Sequence, residues 1–279
     1  MMCNVLKVSK SGYYDWCKRQ LAPPSQAEVE RQQRRSAVRE IFNENRRIYG
    51  YRKVHAELRR RKIKCSLNTI LADFQALNIK SRTRKKYRVT TTDSNHNHPI
   101  AENVLARDFK TEKPNEKWVT DITYVATLEG WLYLVVIIDL FSRKVIGYAM
   151  ADHLRTELVV SALQMVLGRG RKIAEGIYLH SDRGVQFAAA DFRVCLSFLN
   201  MEQSMSRKGD CWDNAPCESW FGKLKSEWIY PNDVFPTRRE AELSIIEYIE
   251  MFYNSRRLHQ ALDYRTPNEV ECEWILASR

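Results

Sequence analysis

Trp118-Val119-Thr120-Asp121-Ile122-Thr123-Tyr124 is a β-branched and aromatic run interrupted by one carboxylate. Such residues fit a pleated, half-buried surface and aspartate does not, so Asp121 requires either a hydrogen-bonded structural role or a ligand. The run reaches Thr127, and its character returns in Trp131 to Phe141 and Lys144 to Met150, across breaks at Glu129-Gly130 and Ser142-Arg143. That spacing predicts an antiparallel meander. Further on, the pattern predicts a helix from Thr156 to about Leu167 closed by Gly168, a short strand at Ile177 to His180 and a helix at Ala188 to Leu199. A strand at Glu202 to Met205 and a helix from Ala215 to about Trp228 follow. Hairpin strands followed by alternating helices and strands indicate the α/β class, a mixed sheet flanked by helices.

Two more acids stand at element ends. Asp182 directly follows the fourth strand in His180-Ser181-Asp182-Arg183-Gly184-Val185-Gln186-Phe187, and Glu218 lies near the start of the helix entered through Asp213-Asn214-Ala215-Pro216-Cys217. Asn214 is a reasonable N-cap there, and Pro216 suits a first turn. Any one of the acids alone reads more readily as a loop cap or a surface charge. Three carboxylates with few nearby bases are what a pair of hard divalent cations requires, because Mg²⁺ prefers oxygen ligands. Two such ions about 4 Å apart can activate an attacking oxygen and stabilise a leaving one across a phosphodiester.

The chain has 279 residues and a net charge of +11, distributed unevenly. Residues 1–110 carry 25 Lys and Arg against 10 Asp and Glu, while residues 111–279 carry 20 against 24. A basic first third points to phosphate neutralisation, hence nucleic acid, with a solvated basic helix face as the plainer alternative. Within it, Ala27 to Phe42 reads as a basic surface helix, and a second helix follows Tyr49-Gly50-Tyr51. A third is capped by Ser66, after the tight basic connection Arg59 to Cys65. The last two fit a helix-turn-helix, with Asn68 and Thr69 near the exposed start of the recognition helix and Arg52 and Lys53 on the helix before it. Residues 81–100 then change character, a basic run giving way to Thr90-Thr91-Thr92-Asp93-Ser94-Asn95-His96-Asn97-His98, which reads as a linker with two solvated histidines.

Several classes are excluded. The mainly apolar stretch Trp131 to Leu140 has half the roughly 20 residues of a membrane-spanning helix. The N-terminus has no secretory signal pattern, so a cytoplasmic protein is expected. Seven scattered cysteines without C-x-x-C oppose a disulfide scaffold and a cysteine-rich zinc site. There is no G-x-S-x-G and no G-x-x-x-x-G-K-[ST], which opposes a serine hydrolase and an ATP-driven motor.

Four segments, W-V-T-D-I-T-Y at 118–124, H-S-D-R-G-V-Q-F at 180–187, D-N-A-P-C-E-S-W-F-G-K-L-K at 213–225 and Y-N-S-R-R-L-H-Q-A-L-D-Y-R-T-P at 253–267, resemble the D-D-E transposases of bacterial insertion sequences. They are most similar to the second-reading-frame product (OrfB) of the insertion-sequence-three group. The likeness extends to Tyr49 to His55 and Val8 to Tyr14. It implies a ribonuclease-H-like core similar to retroviral integrases, with Asp121, Asp182 and Glu218 as a catalytic triad holding two Mg²⁺ or Mn²⁺ ions. It implies 3′-end cleavage and strand transfer without a covalent protein intermediate, on terminal-repeat and target DNA. Self-association on DNA and the upstream reading-frame product are the implied partners. The domains expected are a basic helical segment (1–45), a helix-turn-helix (46–80), a linker (81–112), the integrase-like core (113–230) and a helical extension (231–279).

Other residues take lesser roles. Lys225, seven residues after Glu218, shares its helix face; it either clamps a DNA phosphate, as the resemblance favours, or is a solvated lysine. Lys223 points elsewhere. Arg256, Arg257 and His259, beside Asn254, form a basic cluster read as contacting the DNA backbone. Trp212 and Trp220 either stack on splayed bases or pack. Asp139 is read as structural, capping Ser142 or pairing with Arg143, and His180 as packed or supporting Asp182. The competing functions are a catalytically silent DNA-binding regulator and a metal-dependent nuclease that does not join strands.

Overall fold

The computed structural model describes residues 7–83, 98–171, 173 and 176–278, and it divides into two compact units, Met1–Ser81 and Arg82–Arg279. The basic run from Arg84 and the residues through Asn97, including His96, fall outside the described residues.

The first unit is helical: α1 (Lys10–Leu21), α2 (Gln26–Glu44), α3 (Tyr51–Arg60) and α4 (Leu67–Ala76). Each start is chemically marked. Ser9 and Ser66 cap α1 and α4, and Ser25 with Glu28 forms a reciprocal capping box at α2. Val38, Ile41, Phe42, Tyr49, Val54, Leu58, Ile70 and Phe74 make the core. Asp73 of α4 is buried among them, accepting from Arg34 Nε at 2.6 Å and Arg35 Nε at 2.8 Å. Helix α2 is the basic surface helix expected, burying Val38, Ile41 and Phe42, and its basic face is not wholly solvated. Two of its arginines face a buried carboxylate that would be costly to bury unpaired.

The second unit is built on β1 (Lys117–Thr127), β2 (Gly130–Asp139), β3 (Val145–Ala151), β4 (Tyr178–Ser181) and β5 (Glu202–Met205), in the sheet order β3-β2-β1-β4-β5. The meander β1–β2–β3 is antiparallel, and β4 and β5 add parallel beside β1. One face is covered by α5 (Thr156–Gly168), whose Leu158, Val159, Ala162, Leu163 and Val166 pack with Trp118, Val135, Ile137, Ile146 and Leu179. Contact there is so close that a Cβ at Gly147 would lie 2.4 Å from Val166 Cγ2 and 2.5 Å from the Ala162 carbonyl oxygen. Only glycine allows β3 and α5 that approach.

Strand β2 stops at Asp139 rather than Phe141. The Asp139 carboxylate accepts from Phe141 N at 2.9 Å and turns the chain, and Arg143 follows at φ 59°. The helix expected at 188–199 is α7 (Ala190–Phe198), preceded by a separate turn of helix, α6 (Val185–Ala188), because Ala189 between them is extended at ψ 145°. After a 3₁₀ turn at Cys211–Asn214 comes α8 (Ala215–Lys223), prolonged by a π-type turn Leu224–Ile229. Helix α9 (Arg238–Ile246) is likewise prolonged by Glu247–Tyr253, and α10 (Pro267–Ala277) starts at a Thr266–Glu269 capping box. Trp220, Trp228, Tyr248, Phe252 and Tyr253 interlock α8 and α9. Among the described residues no helix is long and apolar enough to cross a membrane.

Candidate active site

Strand register sets the first two acids side by side. In the parallel pair β1/β4, Val119 is opposite His180, so Asp121 and Asp182 each stand two residues further along neighbouring strands, where β4 ends. Asp121 is half-buried and accepts its own chain's Ile122 N at 2.7 Å; Asp182 accepts Gly184 N at 2.9 Å. These bonds hold the carboxylates without neutralising them.

Glu218 comes from the first turn of α8, which is fastened to β1 by Asn214. Its Nδ2 donates to the Thr120 carbonyl at 3.0 Å, while its Oδ1 is buried without a partner among the described residues. The expected capping bond from Asn214 is not made: this side chain clips the strand instead of the helix end. One residue earlier, Asp213 is fully buried and accepts from Asn103 Nδ2 (2.8 Å), Arg107 Nε (2.8 Å), Arg207 N (2.9 Å), Arg207 Nε (3.0 Å) and Arg207 Nη2 (2.8 Å). Hydrogen bonds from Arg207 hold its carboxyl far below the ordinary carboxylate range.

Charge shows that the three acids converge. Asp121 is raised well above an ordinary aspartate, first by loss of water and then by the negative charges of Asp182 and Glu218, with Ile122 N–H and Lys225 opposing. The buried Cys217 thiol is raised as well, by burial and then by Asp121, Asp182 and Glu218. Among the described residues no three of His, Cys, Asp and Glu are arranged to hold a metal ion as they stand. The donor chemistry nonetheless fits a hard divalent cation: Asp121 is raised by the charges of two other carboxylates, and Asn214, bonded to the Thr120 carbonyl one residue before Asp121, has a buried oxygen without a partner among the described residues.

Residues 111–211 and 199–267 match families described as Integrase core domain, and residues 28–87 match an HTH-like domain. The chain is 40% identical over 266 residues to the insertion element IS600 uncharacterized 31 kDa protein of Shigella sonnei, covering 95% of this chain and 96% of that one. It is 37% identical over 270 residues to Transposase InsF for insertion sequence IS3A of Escherichia coli (strain K12), covering 97% and 92%. The chain belongs to the IS3 family of insertion-sequence transposases. Its fold also overlays a chain of the simian T-cell lymphotropic virus intasome in complex with PP2A regulatory subunit B56 gamma, with TM-score 0.47, 16% identity and coverage of 80% and 74%. With the HTLV-2 integrase catalytic core domain in complex with magnesium the TM-score is 0.45, at 15% identity and coverage of 58% and 99%.

In this transposase Lys225 lies on the π-type continuation of α8, its Nζ 4.9 Å from the centre of the Tyr124 ring and its charge felt at Asp121. Trp220 is packed at 1% exposure, whereas Trp212 stands 68% exposed. His180 is internal, its ring nitrogens 2.9 Å from Ser204 Oγ and 3.1 Å from Ser206 Oγ; burial lowers it to about 4, so it is neutral at physiological pH. Asp139 takes Arg171 rather than Arg143, accepting from Arg171 Nη2 at 2.5 Å and Asn115 N at 3.0 Å, and Ser142 bonds Glu271 instead.

The expected basic cluster at 256–259 is corrected. Arg256 is exposed, but Arg257 is buried in a two-point pair with Glu227 (2.7 and 2.5 Å), and His259 is buried edge-on to Tyr253. Arg257 ties the chain after the α9 extension to Glu227 on the α8 extension, and His259 packs on Tyr253, pairings that no local spacing discloses. In the helical unit Arg52 and Asn68 are exposed, Lys53 lies over the Tyr49 ring at 5.1 Å, and Thr69 is drawn into the Ser66 cap at 2.8 Å. Sequence reasoning missed Asp213 and its arginines, because a carboxylate flanking a cap gives no sign of which distant cations it will collect.

Proposed function

We propose that this transposase frees a 3′-hydroxyl at the end of its DNA element and joins it to a second phosphodiester by direct attack, at Asp121, Asp182 and Glu218. One observation supports this above the others: Asp121 and Asp182 stand side by side where β4 ends, and Asp121 is pushed well above an ordinary aspartate by burial and by the negative charges of Asp182 and Glu218. Mg²⁺ or Mn²⁺, two ions per site, would be held by these carboxylates and would supply charge for the attacking and leaving oxygens. The chain's own part is positional. Register fixes Asp121 beside Asp182, the Asn214 clip brings Glu218 to them, and Lys225 offers a cation to a neighbouring phosphate. Residues 46–80 would hold the element's terminal repeats, 113–230 would act on them, and copies of the chain would meet on DNA. The HTLV-2 core solved with magnesium and the viral intasome are consistent with such a metal and such an assembly. The upstream reading-frame product is the further partner proposed.

The test is strand transfer by purified protein on labelled element ends, with and without Mg²⁺ or Mn²⁺, beside Asp182→Asn and Glu218→Gln. Metal-dependent joined products that vanish in both variants are expected. Cleavage without joining would replace this reading with a nuclease, and binding without chemistry in any metal would replace it with a DNA-occupying regulator.

A further inference from the structure

Trp212 is 68% exposed, whereas Trp220, eight residues on, is 1% exposed. Its exposure is not fraying. Trp212 N donates to Asp210 Oδ1 at 3.2 Å, and the next two residues are Asp213, buried under five hydrogen bonds, and Asn214, clipped to Thr120. The indole is thus carried on a rigid 3₁₀ turn, two residues from the point where the loop touches β1 beside Asp121. A single exposed aromatic is ordinary on a protein surface; one on an anchored turn at the edge of a phosphodiester site has its exposure imposed by its neighbours.

The charges around it are sorted. Arg107 and Arg207 are balanced by Asp210 and Asp213, so the clamp is close to neutral. Lys208 is exposed on the same loop, and Arg183 is held to it by Nε donating to Ser206 O at 2.6 Å. An aromatic face with backbone-seeking cations beside it is the composition of single-strand nucleic-acid sites, where any base can stack because every base has a π face.

We propose that Trp212 is a stacking platform for an unpaired base at the end of the DNA strand being processed, so that this loop selects a frayed end over a paired one. The assignment rests on the DNA-end-processing reading above, and it adds a residue that contacts substrate without touching the reacting phosphate.

The experiment uses the full chain, metal withheld, and duplexes with 2-aminopurine at the terminal nucleotide, paired in one and unpaired in the other. Wild-type protein is expected to quench the unpaired probe. Trp212→Ala should abolish that quenching and weaken unpaired-end binding about 5- to 100-fold, with paired-end affinity changed less than about twofold and Trp212→Phe intermediate. Unchanged quenching and affinity in Trp212→Ala would overturn the proposal. So would a Trp212→Ala effect confined to self-association without DNA, which would make the indole a contact between copies. Asp182→Asn serves as the separate arm: it should quench like wild type and join nothing. If it still joins strands, the catalytic reading falls while the platform stands.

Discussion

Asn214 Nδ2 donates to the Thr120 carbonyl at 3.0 Å, so the residue four before Glu218 is fastened to the residue one before Asp121. Two acids far apart in sequence therefore share one hydrogen bond as their common support. Asn214→Ala is expected to slow joining about 10- to 100-fold while DNA-end binding stays near wild type, since a displacement of about 1 Å can cost that much. A loss appearing only in binding would show that Asn214 does not position Glu218.

Asp213 holds the loop that precedes this contact. Asp213→Asn keeps the shape but removes the charge to which Arg107 and Arg207 are bound. Limited proteolysis between residues 207 and 214 should accelerate, with joining reduced about tenfold. Wild-type cleavage rates in that segment would refute the clamp.

Arg257 and Arg256 should separate cleanly. Arg257 is buried against Glu227, and removing one partner of a buried pair costs about 3–5 kcal/mol, so Arg257→Ala should lower the urea midpoint sharply. Arg256→Ala, on the surface, should leave the midpoint alone and reduce the salt slope of DNA binding by about 1 if it meets a phosphate. A reduced salt slope in both variants, with neither midpoint moved, would restore the reading in which both face DNA.

Lys223 gives a pH signature. Burial, then the charges of Arg257 and Arg143, push its ammonium from 10.5 down to about 8. The folded state thus releases this proton before the unfolded chain does. The cost of holding the charge is full below about pH 8 and fades as pH rises toward 10.5, so stability should climb across that interval. Lys223→Met should stabilise by about 1–2 kcal/mol near neutrality, allowing for partial exposure, and should flatten the climb. Parallel urea titrations at both ends of the interval decide it.

Asp73 is the equivalent test in the helical unit. Asp73→Ala leaves Arg34 and Arg35 facing an apolar core, and amide exchange in α4 should quicken in the full chain. Exchange rates equal to wild type would mean that the two ion pairs add nothing.

The strands were legible because they depend on local signals, β-branched and aromatic runs broken at Glu129-Gly130 and Ser142-Arg143, and the positions of the three acids at element ends could be read the same way, whereas their grouping came from the resemblance. The α4 start was legible from Ser66 for the same reason. What stayed hidden was pairing across distance. Nothing in the spacing tells Arg257 to seek Glu227, Arg171 to seek Asp139, or Arg207 to turn back onto Asp213. Asn214 shows the limit best, since its residue type suits a helix cap and its tertiary neighbour took the side chain for another purpose.

The parallel register of β1 and β4 also grades the chain by its tolerance of length change. The turn at Leu128–Glu129 lies at the far end of the hairpin, where Leu128 N donates to Phe235 O at 2.9 Å and Arg238 N to the Glu129 carboxylate at 2.8 Å, so extra residues there would cost those contacts but leave Val119 opposite His180. A single residue inserted between Val119 and Asp121 would swing the carboxylate to the opposite side of the sheet, because side chains alternate. Length change should therefore cost peripheral contacts at the hairpin tip but the site itself in the three residues before Asp121.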